Sequence, residues 1–274
     1  MHPASLPISK ILLPVYDKPM IYYPLSNLIM GGIRDILVIT NEEDDPKFRK
    51  LLGDGSQFGV NIDYLIQYVQ KGISHAFIIA EDWIDGDDTV LILGDNIFYG
   101  PGLQDIIVSA IKENDGATVF GYYVNDPERF GVVEFDEDMK AISIEEKPKE
   151  PKSNYAVVGL YFYDGNACKY AKKLKPSKRG ELEITDLNKV YMEEGRLKVK
   201  LFDEDINWLD AGTFDSLLEA GNSIKAVQDE HKINVGCPEE AALKNGFVTK
   251  EEVLEWMKRF KDNSYLKYVQ GVCK

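Results

Sequence analysis

A short apolar run that ends in a carboxylate is the first place where this sequence suggests chemistry. Val90 to Gly100, VLILGDNIFYG, carries four apolar residues and then Gly94, Asp95 and Asn96. Such a run reads as a buried strand that delivers Asp95 to its C-terminal edge, where open α/β sheets place their ligands. A second carboxylate in a similar setting, Asp210, lies far downstream in NWLDAGT. Brought together, the two could share one Mg2+, which takes one or two carboxylates and fills its shell with phosphate oxygens and water. Either aspartate could equally do no more than cap a turn or the helix that follows it.

Cations near those acids would suit an anionic substrate. Lys10 stands alone beside an apolar run in SKILLPV, Lys147 follows two acids in EEKP, and Arg179 opens RGELE. A lysine neutralises phosphate as a compact charge and an arginine as a two-pronged donor, although charged turns are common on any surface. Gly131, in PERFGVVEF, could let a sugar ring approach the backbone, or could simply make a turn. The three histidines are not at metal-ligand spacing, and His75 falls at a helix start, where a surface role is the plainer reading. The sequence holds no Gly-x-Ser-x-Gly, no P-loop and no dinucleotide fingerprint, which argues against a serine hydrolase and a nicotinamide dehydrogenase.

Composition narrows the partners. The chain has 274 residues, 44% apolar and 28% charged, enough for one sizeable core with a small satellite. A formal charge of -14 argues against a nucleic-acid partner, because duplex binding needs a basic patch to displace counterions. Three dispersed cysteines, without a CxxC, suggest neither a disulfide framework nor a zinc site. No apolar run approaches the length of about 18 residues that spans a bilayer, and no signal-peptide pattern opens the chain, so the expected location is cytoplasmic.

The elements that must position these residues follow from hydrophobic period. Four prolines in residues 1 to 19 predict an extended loop. Met20 to Met30 predicts a helix with Pro24 in its first turn. From Asp35 the pattern alternates strand and helix: ILVIT, then a helix over Pro46 to Leu52, then a strand over Asn61 to Gln67. A helix from Gly72 through Trp83 follows, then VLIL, then a helix with Leu103, Ile106, Ile107, Ala110 and Ile111 on one face. This rhythm predicts an α/β fold with a mostly parallel central sheet. ATVFGYYV, GVVEF, KAISIEE and NYAVVGLYFY predict appended antiparallel strands, and helical patterning returns at Thr185 to Glu194 and Phe214 to Val227. Two or three short amphipathic helices are expected over Pro238 to Tyr268, one opened by a capping box at Thr249-Lys250-Glu251-Glu252. The expected organisation is a core over residues 1–230 with a C-terminal helical extension, 231–274, packed on it.

Seven blocks in order, LLPVYDKPMIYYPLS, LLGDGSQFG, LGDNIFYG, NDPERFGVVEF, EEKPKEPKSNYAVVGLYFYD, KPSKRGELEITDLN and WLDAGT, resemble the bacterial glucose-1-phosphate thymidylyltransferases. The resemblance implies a Rossmann-like nucleotidyltransferase fold, Mg2+ dependence, a homotetramer, and transfer of a thymidylyl group from dTTP to glucose 1-phosphate on the way to dTDP sugars such as dTDP-rhamnose. By the same resemblance, Asp95 and Asp210 hold Mg2+, Lys147 and Arg179 grip the sugar phosphate, and Lys10 meets the nucleotide phosphates. Gly131, Glu146, Val157 and Tyr161 line the glucose pocket, and Gln67 and Gly72 meet the thymine edge and the nucleoside. Lys10, Asp95, Lys147 and Arg179 are thus the expected catalytic set.

The sequence also departs from that family's pattern. The family opens with a buried strand and a GGxGTRL loop whose amides and arginine wrap the triphosphate, and here Met1 begins where that signature ends. Without those charge-assisted hydrogen bonds, worth about 1.5 to 3 kcal/mol each, the polypeptide is expected to be weak or inactive, or to bind sugar nucleotides without turnover. Near the base site, Ile11 replaces a usual glutamine, Tyr68-Val69-Gln70-Lys71 replaces a run rich in proline, serine and aspartate, and His75 occupies another usual glutamine.

Overall fold

The computed structural model describes residues 1–274. Its strands and helices, in chain order, begin with β1 (Pro14–Val15), β2 (Lys18–Pro19), α1 (Tyr22–Met30), β3 (Asp35–Thr40), α2 (Asp45–Leu52) and β4 (Asn61–Ile66). Next come α3 (His75–Ile79), α4 (Glu81–Ile84), β5 (Thr89–Ile92), β6 (Asn96–Tyr99), α5 (Leu103–Glu113), β7 (Ala117–Tyr123), β8 (Gly131–Phe135), β9 (Ala141–Glu146) and β10 (Tyr155–Tyr163). The series ends with α6 (Ala167–Ala171), α7 (Ile184–Glu193), β11 (Leu197–Leu201), β12 (Asn207–Asp210), α8 (Phe214–His231), α9 (Pro238–Lys244), α10 (Lys250–Met257) and α11 (Ser264–Val272).

Most patterned segments fall within a few residues of their expected ends, and the differences have local causes. The proline-rich start is not extended throughout: Lys10–Leu12 makes a 3-10 turn and β1 pairs with β2 in a tight hairpin. The helix expected from Gly72 begins only at His75, because Gly72 sits at φ +92°, which no right-handed helix accommodates. The same segment breaks again at Ala80, between α3 and α4.

The chain divides into two compact units, and neither ends at residue 230. One comprises Met1–Ile66, Gly94–Val108 and Asn207–Lys274; the other comprises Gln67–Leu93 and Ser109–Ile206. In the first unit β3 runs parallel to β4 in full register from Asp35↔Asn61 to Thr40↔Ile66. Leu25 and Ile29 of α1, Ile36 and Val38 of β3 and Phe48 of α2 bury themselves with Ala241 of α9, Val253 and Met257 of α10 and Leu266 of α11. The C-terminal helices are therefore part of this unit's main core. A second cluster, with Val15, Met20, Tyr23, Ile97, Ala211, Ala220 and Ile224, locks the β1–β2 hairpin against β6, β12 and α8. Both long-range helices start as their sequences direct: Thr213 and Ser216 cap α8, and Thr249 and Glu252 form the expected capping box on α10.

The other unit holds a six-stranded sheet in the order β11-β7-β10-β8-β9, with β5 on β10 beside β8. β10 is antiparallel to β5, β7 and β8, whereas β11 is parallel to β7. Strands β5, β7 and β11 thus run the same way, and β10 is inserted between β5 and β7. The sheet is therefore mixed where a mostly parallel one was expected. A nine-residue strand buried at eight of its positions returns through a short connection and takes the central place. Its core is aromatic: Phe120 stacks on Phe202 at 4.5 Å, and fully buried Tyr163 meets Phe77 at 5.2 Å and Tyr191 at 5.5 Å.

Candidate active site

In the first unit, the 3-10 turn at Lys10–Leu12 is pinned from both sides. Ile21 N–H donates to Ile11 O at 2.9 Å and Met20 N–H to Leu13 O at 2.9 Å, so the hairpin that follows fixes where Lys10 emerges. Lys10 Nζ donates to Asp95 Oδ2. Gly94 makes this approach possible: a Cβ there would lie 2.9 Å from Ile11 Cδ1 and 3.0 Å from its Cγ2. The glycine of LGD thus serves close packing of the lysine turn.

Asp210 reaches the same place through strand pairing. β12 is antiparallel to β6 with Asp210 opposite Asn96, and Ala211 N–H donates to Asp95 O at 2.9 Å. Paired residues in such a ladder have Cα atoms about 5 Å apart, so the backbones of Asp95 and Asp210, distant in sequence, lie on adjacent rungs. Buried Asn96 secures the pairing, accepting a hydrogen bond from Trp208 Nε1 at 2.7 Å while its amide donates to Asp95 Oδ1 at 3.2 Å. A Cβ on Gly212 would lie 3.1 Å from Asp210 Oδ1, so glycine leaves that carboxylate its space.

The donor set fits Mg2+. It consists of hard carboxylate oxygens, the donor type that Mg2+ takes, with no imidazole or thiolate. Two carboxylates against one ammonium leave one net negative charge for a divalent ion to offset. The remaining positions of its octahedron are the kind that water and phosphate oxygens fill.

In the second unit, β8 and β9 place Gly131 opposite Glu146, and β10 places Val157 opposite Gly131. A Cβ on Gly131 would stand 3.4 Å from Thr185 Oγ1 and 3.5 Å from Glu146 Oε2, so the glycine keeps this floor open. Thr185 Oγ1 donates to Glu146 Oε2 at 2.6 Å. Arg179 Nε and Nη2 donate to Glu183 at 3.1 and 2.7 Å, and Ser177 Oγ adds a third hydrogen bond to the same carboxylate at 2.7 Å. Glu146 and Glu181 lie 3.6 and 3.5 Å from Arg179 Nη2. Burial pushes the Glu183 carboxyl up, but the hydrogen bonds from Arg179 and Ser177 outweigh it and leave its pKa below the usual range.

Lys147 is exposed, at φ 44°, with its N–H bonded to Phe130 O at 3.0 Å. Val157 and Tyr161 are 9% and 4% exposed, and Tyr161 stacks on Tyr163. Gln67 meets His75, Nε2 to Nδ1, at 3.0 Å. Gly72 lies against Leu182, whose carbonyl oxygen would be 2.5 Å from a Cβ at that position.

In one unit Lys10 is paired with Asp95, and Asp210 lies on the adjacent rung of the β6–β12 ladder; in the other, Gly131, Glu146 and Arg179 lie close together. Sequence reasoning missed the residues that hold them: Asn96, Trp208, Thr185, Ser177 and Glu183. Glu183 had a visible signal, since an acid four residues after Arg179 and just before a helix can reach back to it. The Thr185–Glu146 and Trp208–Asn96 pairs, 39 and 112 residues apart, had none.

A family model described as nucleotidyl transferase matches residues 1–227. The chain is similar to the glucose-1-phosphate thymidylyltransferase of Neisseria meningitidis, 51% identical over 100% of this chain and 95% of that protein. The enzyme of the same name from Mycolicibacterium smegmatis is 49% identical over 98% of this chain and 93% of its own length. Among solved structures, a Bacillus anthracis protein assigned as a glucose-1-phosphate thymidylyltransferase, crystallised with a sucrose, superposes with a TM-score of 0.75. It is 43% identical, over 81% of this chain and 89% of that one. A UDP-glucose pyrophosphorylase complexed with UDP-glucose is 23% identical with a TM-score of 0.72, over 82% and 94%, a likeness of fold alone.

Proposed function

The chain belongs to the nucleotidyl transferase family, among the glucose-1-phosphate thymidylyltransferases, and on that premise we propose that it transfers a thymidylyl group from dTTP to glucose 1-phosphate, releasing pyrophosphate. The observation that supports this reading is the β6–β12 pairing, in which Asp210 lies opposite Asn96 and Ala211 bonds to the backbone of Asp95, whose carboxylate already holds Lys10. Nucleotidyl transfer asks little covalent chemistry of a protein; it asks for alignment and for cations around the phosphates.

Mg2+, when held by Asp95 and Asp210, supplies a Lewis acid that offsets charge on the phosphate undergoing attack. Lys10, tethered to Asp95 and 42% exposed, contributes a fixed ammonium for the nucleotide phosphates. Arg179 is held in one orientation by Glu183, so its guanidinium is aimed before the sugar phosphate arrives, and exposed Lys147 adds a second charge. Glu146, oriented by Thr185, offers a carboxylate oxygen to a sugar hydroxyl over the open floor at Gly131. Gln67 and Gly72 meet the base and nucleoside. A homotetramer, a cytoplasmic location and supply of dTDP-sugar synthesis extend the same reading; family membership supports them, as does the fact that no helix is long and apolar enough to cross a membrane.

The test is pyrophosphate release from dTTP, glucose 1-phosphate and Mg2+, with Asp95→Asn as the control. Absence of dTDP-glucose with active-site residues intact overturns the reading. Nothing among the relatives favours the alternative of a binding-only homologue, since those named above are transferases by name.

A further inference from the structure

Gln67 follows directly on β4, and His75 opens α3 eight residues later, with Gln67 Nε2 3.0 Å from His75 Nδ1. The loop between them is stapled to the segment at Leu182. Leu182 N–H donates to Lys71 O at 2.7 Å, Ser74 N–H to Leu182 O at 3.1 Å, and the fully buried Ser74 hydroxyl to Glu183 O at 2.9 Å. His75 therefore stands on a fixed base, whereas Tyr68 and Val69 at the loop's crest are 75% and 56% exposed.

We infer that His75 is a specificity-determining positioning residue: by engaging one end of the Gln67 amide it dictates which end faces the nucleobase, favouring thymine or uracil over cytosine. This rests on the reading above that Gln67 meets the base. A neutral imidazole that accepts at Nδ1 takes one amide N–H from Gln67. The glutamine then keeps its carbonyl oxygen and its second N–H for the ligand. Thymine and uracil present N3–H flanked by carbonyl oxygens, which one acceptor and one donor complement. Cytosine presents a bare N3 lone pair, against which the glutamine carbonyl is repulsive and unsatisfied.

Protonation reverses the arrangement. An imidazolium donates from both nitrogens, so the Gln67 carbonyl must turn to His75 and both amide hydrogens face the base, a pattern suited to cytosine N3 and O2. Burial, and then the Lys71 charge on the same loop, hold the His75 pKa below its ordinary value, which keeps the ring neutral around neutral pH. The other charged and titratable groups on elements packed against α3 are Cys168, Lys169 and Tyr170 of α6, Glu81 and Asp82 of α4, Tyr163 of β10, and Glu181 and Glu183 flanking Leu182. The thymine preference is thus present above the His75 pKa and lost as pH falls through it.

The experiment measures kcat/KM for dTTP and for dCTP, with glucose 1-phosphate and Mg2+, from about pH 5.5 to about pH 8.5. The dTTP/dCTP ratio cancels ionisation of the triphosphate and of groups common to both reactions. The ratio is expected to fall about tenfold toward acid, the loss of one hydrogen bond. In H75Q, whose amide carries donor and acceptor but does not titrate, the ratio stays flat. A flat ratio in the unaltered protein, or a pH-dependent one that persists in H75Q, overturns the inference. Imidazole 15N shifts test the same point without turnover: a neutral Nε2–H tautomer at His75 supports it, and an Nδ1–H tautomer overturns it. Absence of turnover with any triphosphate counts against the transferase reading alone.

Discussion

Asp95 is held on one carboxylate oxygen by Lys10 and on the other by Asn96, a double tether that fixes its orientation, as the proposed metal-binding role requires. Asp95→Asn removes a negative charge while keeping the shape, and should lower kcat by about 100-fold or more with an unchanged melting temperature. Asp210→Asn should instead raise the Mg2+ concentration needed for half-maximal rate, read from a Mg2+ titration of pyrophosphate release. At the proposed sugar-phosphate site, Glu183→Gln removes the negative charge and one of the two carboxylate oxygens that Arg179 Nε and Nη2 use. KM for glucose 1-phosphate should rise about tenfold while KM for dTTP moves little; equal effects on both would show that Glu183 acts on the fold instead. The candidate residues were named from residue type, motif and resemblance, but their orienting partners were not, because hydrogen bonds such as Trp208–Asn96 join positions that only the folded sheet makes adjacent.

At the scale of elements, period and punctuation located what has a strong local signal and missed what is specified by pairing. The capping box at Thr249 is visible as a four-residue word and forms as read. Thr249→Ala should cost about 1 kcal/mol, seen as a lower denaturation midpoint without loss of activity per folded molecule. β6 has only four residues, and NIFY shows no alternation; it is a strand because β12 lies beside it. Gly72 joins local and long-range constraint, since its left-handed backbone and the nearby Leu182 carbonyl both exclude a side chain. Gly72→Ala should destabilise by about 1 to 3 kcal/mol and raise KM for dTTP, measured by thermal melting and initial rates. That ATVFGYYV and NYAVVGLYFY are antiparallel strands was readable, but β11 and the place of β10 between β5 and β7 were not, because strand order is decided by which faces bury best once all strands exist.

For the whole molecule, acid and truncation test different bonds. Burial pushes the Asp164 carboxyl up, but hydrogen bonds from Tyr191, Asn166 and Arg196 more than offset it, and the net shift is downward. A carboxylate with a lowered folded pKa adds stability that is complete above its unfolded value of about 4 and is lost as pH falls through the folded one. The melting temperature should therefore drop below about pH 4, and Asp164→Asn should flatten that slope while lowering the neutral-pH value. A chain ended after residue 230 loses Ala241, Val253, Met257 and Leu266 from the main core of the first unit. Such a chain should show exposed apolar surface by dye binding and no cooperative melt, because the helices at the C-terminus are core rather than appendage.

Lys18 shows what that arrangement demands of synthesis. Its side chain is almost wholly enclosed, and besides Asp17 its ammonium is satisfied by Gln228 Oε1 at 3.3 Å and by the carbonyl of Val235 at 3.0 Å, partners 210 and 217 residues away. The hairpin next to the Lys10 turn is thus finished by residues translated 210 and 217 positions later. A nascent chain cannot close it while those residues are still inside the ribosome, and contacts of such long sequence separation form slowly even after release. Until then the lysine needs water, and the apolar surface around it invites chaperones. The β1–β2 hairpin, synthesised well before its partners, is consequently among the last elements to mature.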